Sequence, residues 1–400
     1  MKPKISFKGF KEPWEVSTLR NFFSKVNEKN ARMLYSAVLT NSAEYGIIDQ
    51  RDYFDFDVAN SNNISGYYIV QPDDFVYNPR VSVTAPVGPI NKNELGYIGV
   101  MSPLYLVFKI NGINKDYLCH YFKSNKWHKF MRISGNCGAR FDRLSISDEQ
   151  FVQMPIPYPI NSKEQQTICN YLEKIDKLIS TASSRLASLK QVKEASLQAM
   201  FPQKGETVPK IRFKGFEGEW VITKAAEIFK TVNERNFSGL PVLSATQDKG
   251  MVTRDSIGYN IFHDKSNEST YKHIVPGQFV MHLRSFQGGF AHSAIEGICS
   301  PAYTIMEFKD KEKNHDLYWK YVLTSKRFIK SLEMITYGIR DGRTISFDEF
   351  KEMVFLVPKV EEQQQIASYF TSLDKQIALQ TQRLEKLKQI KAACLDKMFV

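Results

Sequence analysis

This 400-residue sequence contains no run of about 18 apolar residues, which excludes a segment built to cross a bilayer as a helix. Its opening, Met1 to Trp14, lacks the apolar core of a signal peptide. The protein is therefore expected to be soluble and cytoplasmic, with no membrane partner. No G-x-x-x-x-G-K-[ST] or G-x-G-x-x-G loop is present, so the usual phosphate cradles of ATP and dinucleotide enzymes are missing. The seven histidines (His120, His128, His263, His273, His282, His292, His315) make no H-E-x-x-H pattern. Five cysteines (Cys119, Cys137, Cys169, Cys299, Cys394) stand singly, without C-x-x-C spacing, which argues for reduced, buried thiols rather than a metal site or disulfide framework. Asn78-Pro79-Arg80 comes nearest to the Asn/Asp-Pro-Pro-aromatic tetrapeptide of adenine methylation, but arginine stands where the second proline is needed. Glu307-Phe308-Lys309 and Glu349-Phe350-Lys351 are the loosest form of a nuclease pattern, and neither recurs in the other half of the chain. No catalytic residue, cofactor or metal is expected.

What is present is positive charge. The formal net charge is +11 and the pI about 9.2, an excess that suits a polyanionic partner. A chain this long also exceeds the roughly 250 to 300 residues that one core usually serves, so at least two domains are expected.

The strongest signal is internal duplication. PKISFKGFKEPW at 3–14 recurs as PKIRFKGFEGEW at 209–220, with eight of twelve positions identical. From Glu164 to Phe201 the sequence recurs from Glu362 to Phe399 with 18 of 38 positions identical. Between these ends the likeness is faint but keeps its order: Pro72–Val76 with Pro276–Val280, Ser102-Pro103 with Ser300-Pro301, Asp116–Lys126 with Asp316–Lys326. A retained frame around a varied interior implies two similar scaffolds that carry different surfaces.

The long repeat reads as helix. Leu172, Ile175, Ile179, Ala182, Leu186 and Leu189 alternate in steps of three and four, and Phe370, Leu373, Ile377, Leu384 and Leu387 do the same, which is the apolar seam of a coiled coil. Gln380 interrupts the second seam, and Lys193 and Lys391 interrupt both at one place. Pro155, Pro157 and Pro159 precede the first helix and Pro358 the second, fixing where each begins. Two seams of matched length are expected to cover each other, antiparallel. The helices carry little of the net charge, so the basic excess lies in the globular parts. The expected architecture is α+β: domain 1 at 1–162, a central helix at 163–201, domain 2 at 202–360 and a C-terminal helix at 361–400.

The ordered set of motifs resembles the specificity subunit of Type I restriction-modification systems. The resemblance covers nearly the whole chain and rests on the paired half-start motifs with Trp14 and Trp220, on LPVLSATQDKGMV at 240–252, on the P-x-x-F-V turns, and on the E-Q-x-x-I helix entries at Glu164 and Glu362. It implies two pseudo-symmetric target-recognition domains that read the halves of a split site in double-stranded DNA. It further implies two helices that act as spacer and docking surface for two methyltransferase (M) subunits, joined by restriction (R) subunits. A fused restriction or methylation enzyme, or a coiled-coil adaptor, are the alternative readings.

Base readout favours arginine, asparagine and glutamine on loops, and phosphate contact favours basic and small polar groups. Two loops fit. After the Phe-Val strand, Tyr77, Asn78 and Arg80 correspond to His282, Arg284, Ser285 and Gln287 of the second half. Before the last strand, GNCGARFDR carries Arg140 and Arg143, and GIRDGR carries Arg340 and Arg343. Lys126 and Lys326 also match but fall in a helical stretch, where a solvated role is expected.

Overall fold

The computed structural model describes residues 1–53, 64–136, 142–246, 249–257, 265–282, 289–332 and 346–400. The chain forms two compact units, one of Met1–Ser184 with Gln382–Val400, the other of Arg185–Thr381. Both are mixtures of short strands and helices, and they share one topology.

In the first unit, β1 (Glu15–Thr18), β2 (Phe23–Lys25), β3 (Leu39–Ser42) and β4 (Gly46–Asp49) lead to a short helix α1 (Gln50–Tyr53). Five more strands follow: β5 (Tyr68–Val70), β6 (Phe75–Tyr77), β7 (Ile90–Lys92), β8 (Gly99–Met101) and β9 (Leu106–Ile110). Helices α2 (Lys115–Phe122), α3 (His128–Ser134) and α4 (Asp148–Phe151) precede β10 (Pro155–Tyr158) and the long helix α5 (Ser162–Ala199). The main sheet has the order β2-β9-β6-β7, β3 pairs with β4, β5 with β8, and β10 returns to β1. Pro155 and Pro157 thus lie in a two-stranded pairing, where their missing N–H groups are tolerated.

The second unit repeats this plan. It comprises β11 (Val221–Lys224), α6 (Ala225–Ile228), β12 (Phe229–Val232), β13 (Val242–Thr246), β14 (Gly250–Thr253), β15 (Lys272–Ile274), β16 (Phe279–Met281), β17 (Phe290–His292), β18 (Gly297–Cys299) and β19 (Thr304–Phe308). Then come α7 (Asp316–Leu323), α8 (Lys326–Leu332), α9 (Phe347–Phe350), β20 (Val354–Val357) and α10 (Val360–Met398). The sheets are β12-β19-β16-β17 and β14-β13-β18-β15, with β11 paired to β20. Helix starts follow local chemistry: Asn114 accepts from the backbone N–H of Asp116 and Tyr117, and Ser346 and Glu349 form a reciprocal capping box.

Each unit's core is closed by a long helix that ends in Met-Phe. In the first, Trp14, Phe75, Phe108, Tyr117 and Phe151 pack with Ile168 and Leu172 of α5 and with Met398-Phe399. In the second, Trp220, Phe279, Phe308, Tyr318 and Phe350 pack with Ile366 and Phe370 of α10 and with Met200-Phe201. Within the first unit α5 and α10 run antiparallel: Asp176 pairs with Lys391 and Tyr171 meets Cys394. Within the second, Lys193 Nζ lies 2.5 Å from Asp374 and Ser196 Oγ 2.9 Å from the Tyr369 hydroxyl. The two lysines that interrupt the seams are therefore held by acids of the facing helix. Lys326 is solvated as expected, its side chain 86% exposed and 2.9 Å from Glu194, whereas Lys126 is largely covered and lies 3.2 Å from Asp396.

The half-start motif seals each helix end. Ile5 N–H donates to the Lys397 carbonyl (3.0 Å) and Ile211 N–H to the Ala199 carbonyl (2.9 Å), each satisfying a C-terminal carbonyl without a partner in its helix. The helix-entry glutamate holds the other end of the motif, by a different partner in each unit. Glu164 accepts from Trp14 Nε1 (3.1 Å), whereas Glu362 takes Arg212 through two bonds of 2.7 and 2.8 Å and leaves Trp220 Nε1 without a partner. Burial pushes the Glu164 carboxyl above its usual range, and the Trp14 bond opposes this. Ser6 stands where the second half has Arg212. Ser6→Arg should supply the missing cation and bring the raised carboxyl pKa down. A carboxyl whose folded pKa is raised costs stability wherever it must ionise, so the variant's gain is fully present above that raised value and is lost as pH falls below the ordinary carboxylate range. The expected result is a melting temperature gain of a few degrees at pH 7 that shrinks steadily as the solution is acidified through the carboxylate range. A gain independent of pH in calorimetric melts would show that Glu164 is not the partner.

Candidate nucleic-acid interface

Strands β6 and β7 carry between them a loop, 78–89, exposed at Arg80 and at Ser82–Thr84, whose base is closed by Asn78 N–H donating to the Pro89 carbonyl at 3.0 Å. Gly88 makes that closure possible. Its φ is +79°, and a side chain there would collide with the Asn78 carbonyl. The second candidate loop arrives at the same place. Val81 N–H donates to the Asp142 carbonyl (3.0 Å), Leu144 N–H to the Pro79 carbonyl (2.9 Å), and Arg80 and Arg143 face each other in an antiparallel bridge. Residues 79–81 and 142–144, from two loops that the sequence presents separately, form one ribbon.

The arginines are available. The Arg80 side chain is 69% exposed and that of Arg143 34%, with Asp142 Oδ2 3.8 Å from Arg80 Nη2 and 4.0 Å from Arg143 Nε. Directly opposed residues in an antiparallel bridge project to the same face, where like charges repel. Such a pair is poorly suited to stabilising a fold and well suited to meeting an anion.

Two expected readers are corrected. Tyr77 is buried in the core, stacked on Phe151, and its hydroxyl donates to the Val87 carbonyl at 3.0 Å; from there it reaches no ligand. Asn78 uses both ends of its amide on backbone, donating to the Asn41 carbonyl (2.9 Å) and accepting from Arg80 N–H (3.0 Å). It positions the loop. Asn41 and Asn91, which sequence reasoning did not single out, act with it. Asn41 donates to the Val76 carbonyl (2.7 Å), and Asn91 to Asn41 Oδ1 (2.7 Å) and the Ser42 carbonyl (3.1 Å). They bind the β3–β4 hairpin to the loop base. The available signal was that the second half has Ala245 and Ala291 at the matching strand positions. Asp142 was also missed.

In the second half, His282 is half-buried at the matching loop base, its N–H donating to the Gly289 carbonyl at 2.9 Å and its ring 6.2 Å from that of Tyr303. Arg140, Arg284, Ser285, Gln287, Arg340 and Arg343 lie outside the described residues. The strand that leaves the loop is anchored alike in both units. Lys92 of β7 lies 2.5 Å from Asp116 and His292 of β17 2.7 Å from Asp316. Burial pulls the Lys92 pKa down but the Asp116 bond holds it above the usual lysine value, and the His292 bond keeps the Asp316 carboxyl below the usual range. Among the described residues no group of three or more His, Cys, Asp or Glu side chains could hold a metal ion, and no helix is long and apolar enough to cross a membrane.

The chain is thus a duplicated α+β domain, each copy followed by a long helix, with two arginines gathered on a loop ribbon of the first copy. The family described as the Type I restriction modification DNA specificity domain matches residues 11–191 and again 217–389, and the chain belongs to that family. It is similar to the Type-I restriction-modification system S subunit from M. genitalium, at 12% identity over 100% of this chain and 99% of that one, with a TM-score of 0.60. It is also similar to a chain solved in a study of complex assembly and conformational transition of the type I R-M system, at 14% identity over 97% of this chain and 98% of that one, with a TM-score of 0.53. At these identities the likeness is one of fold. Sequence-specific DNA recognition, a non-catalytic role, is what this fold supports.

Tyr77→Phe separates core from contact. It removes one buried hydrogen bond and should cost about 1 kcal/mol of stability while leaving DNA affinity unchanged. A loss of affinity in titrations at matched folded fraction would restore Tyr77 as a reader.

Proposed function

We propose that the chain reads a bipartite site in double-stranded DNA, one half-site per domain, and brings two adenine-methyltransferase subunits and the restriction subunits to it. The observation that carries the reading of DNA is the convergence of Arg80 and Arg143 on one exposed ribbon. Two such readers follow from the repeated topology, and their different specificities from the divergent interiors. Arg284, Ser285, Gln287, Arg340 and Arg343, with Arg140 in the first domain, belong to the same proposed contact set by sequence position. Replacing residues from about 15 to 150 by those of a related subunit should change one half of the methylated sequence and leave the other. Mapping methylated adenines checks this, and a change in both halves would refute the two-reader model.

Docking of two identical partners has separate support. The half-start motifs retain exposed identities that neither core requires. Lys4, Ile5 and Lys8 match Lys210, Ile211 and Lys214, and Ile5 and Ile211 are 46% and 59% exposed. Gly9 and Gly215 are accounted for by φ values of +107° and +98°. On the helix end that each motif seals, Ile390 and Ala393 in one unit and Val192 and Ala195 in the other are also exposed at matching positions. Two like patches, apolar and flanked by lysine, fit two copies of one partner with an apolar contact and an acidic rim. Ile5→Glu with Ile390→Glu should reduce the bound methyltransferase subunits from two to one by native mass spectrometry. Ile211→Glu with Val192→Glu should do the same, and all four together should release both. Retention of two copies by every variant would place the docking surface elsewhere.

A further inference from the structure

Asp142 stands in an unexpected place for a surface that meets a polyanion. It immediately precedes Arg143, the residue across the bridge from Arg80, and its side chain is 52% exposed. Its carboxylate approaches both guanidinium groups at 3.8 and 4.0 Å, beyond the 2.7–2.9 Å of a strong charge-assisted bond. Pairs this loose and this exposed add little to folding. Nor does the ribbon need the side chain, since it is closed by the backbone bonds of Val81 and Leu144. What the carboxylate does is lower the positive potential in front of two arginines while leaving their donors unsaturated. The sequence of the second half places Asp341 between Arg340 and Arg343 in the corresponding loop, so an acid among the arginines occurs twice.

We propose that Asp142 is a specificity-determining residue of the first domain, which weakens contact with DNA of any sequence more than contact with the correct half-site. The inference rests on the reading of Arg80 and Arg143 as DNA contacts. A phosphate group brought to the ribbon by charge alone must approach a carboxylate and share guanidinium groups that the carboxylate already attracts. That penalty applies to every sequence, because the backbone is the same everywhere. At the correct half-site, base edges offer what random DNA does not. An arginine finds paired acceptors on guanine, and a carboxylate can itself accept from the cytosine amino group. Directional bonds then offset the repulsion only where the sequence supplies them, and the ratio of specific to non-specific affinity rises although affinity for random DNA falls.

The test uses the full chain assembled with its methyltransferase subunits, and two duplexes of equal length: one carrying the site found by mapping methylated adenines, the other a mixed sequence lacking it. Binding is followed by fluorescence anisotropy over a range of salt concentrations. Asp142→Asn should tighten binding to the mixed duplex by about 3- to 10-fold, with a smaller gain on the specific duplex and a steeper salt dependence on the mixed one. Asp142→Glu, which keeps the charge, should retain most of the wild-type ratio, an outcome that a purely structural role for the aspartate shape would not give. Arg80→Ala with Arg143→Ala should weaken binding to both duplexes and flatten the salt slope by about one to two. If the double arginine variant binds as wild type, the ribbon does not contact DNA and the underlying reading fails. If that variant weakens binding while Asp142→Asn leaves the ratio unchanged or raises it, the role given to Asp142 is overturned.

Discussion

Everything in the two units depends on a core that one half of the sequence cannot close with its own segments. Phe399, at the end of α10, sits 5.4 Å from Tyr117 and 5.9 Å from Tyr121, and Phe201, at the end of α5, sits 5.8 Å from Tyr318 and 6.1 Å from Trp220. Each long helix thus starts in one unit's core and finishes in the other's. Its register against the facing helix must be right, and apolar seams alone fix register poorly because one heptad resembles the next. The seam lysines remove that degeneracy. Lys391 finds Asp176 and Lys193 finds Asp374, and a slip would leave part-buried ammonium groups facing apolar side chains, at a cost of several kcal/mol for a charge stranded without a partner.

The frame was legible in the sequence because its parts are local or repeated. The two helices, their entry points and the seam interruptions all follow from spacing. Identity alone did not reveal why the E-Q-Q entries recur. Gln165 donates to the Pro159 carbonyl and accepts from Asn114 N–H, and Gln363 donates to the Pro358 and Lys313 carbonyls and accepts from His315 N–H. One amide in each unit therefore clamps the start of a long helix to the start of α2 or α7. The candidate site was half legible. Arg80 and Arg143 were found by residue type, but their union was not, since the bridge joins positions far apart in sequence and no local pattern encodes it. Tyr77 misled for the same reason. A tyrosine beside an arginine-bearing loop looks like a reader until the third dimension turns it inward.

The two halves diverge around a few polar pairings. Asn41 and Asn91 bond to each other in the first unit, and the second has Ala245 and the buried Ala291 in their places. Lys92 pairs with Asp116 where His292 pairs with Asp316. Glu164 serves Trp14 where Glu362 serves Arg212. In the first case both members change together; in the other two the carboxylate is kept while its partner changes, so these acceptors stay bonded, as suits groups that are expensive to leave unpaired, and Trp220 Nε1 is the group left over. Between Arg80 and Pro89 in one half and from Arg284 in the other the sequences differ almost throughout, which is how a single scaffold comes to carry two surfaces of different chemistry.

The two units are equal in topology but not in the order in which a growing chain can complete them. The second is one continuous segment, Arg185–Thr381, whereas the first needs Met1–Ser184 together with Gln382–Val400. The sealing bond shows the same asymmetry: Ile211 reaches Ala199 across a short loop, while Ile5 must meet Lys397 from the far end of the chain. Contacts at large sequence separation form slowly because chain closure costs entropy before any contact offsets it. Until the last helix turn is made, Tyr117 and Tyr121 lack the ring of Phe399, and the first core stays open at the face that Met398 and Phe399 cover. Folding of the first unit is thereby tied to completion of α10, so the ribbon of Arg80 and Arg143 acquires a closed core beneath it only when the helix that begins in the second unit has been made to its end.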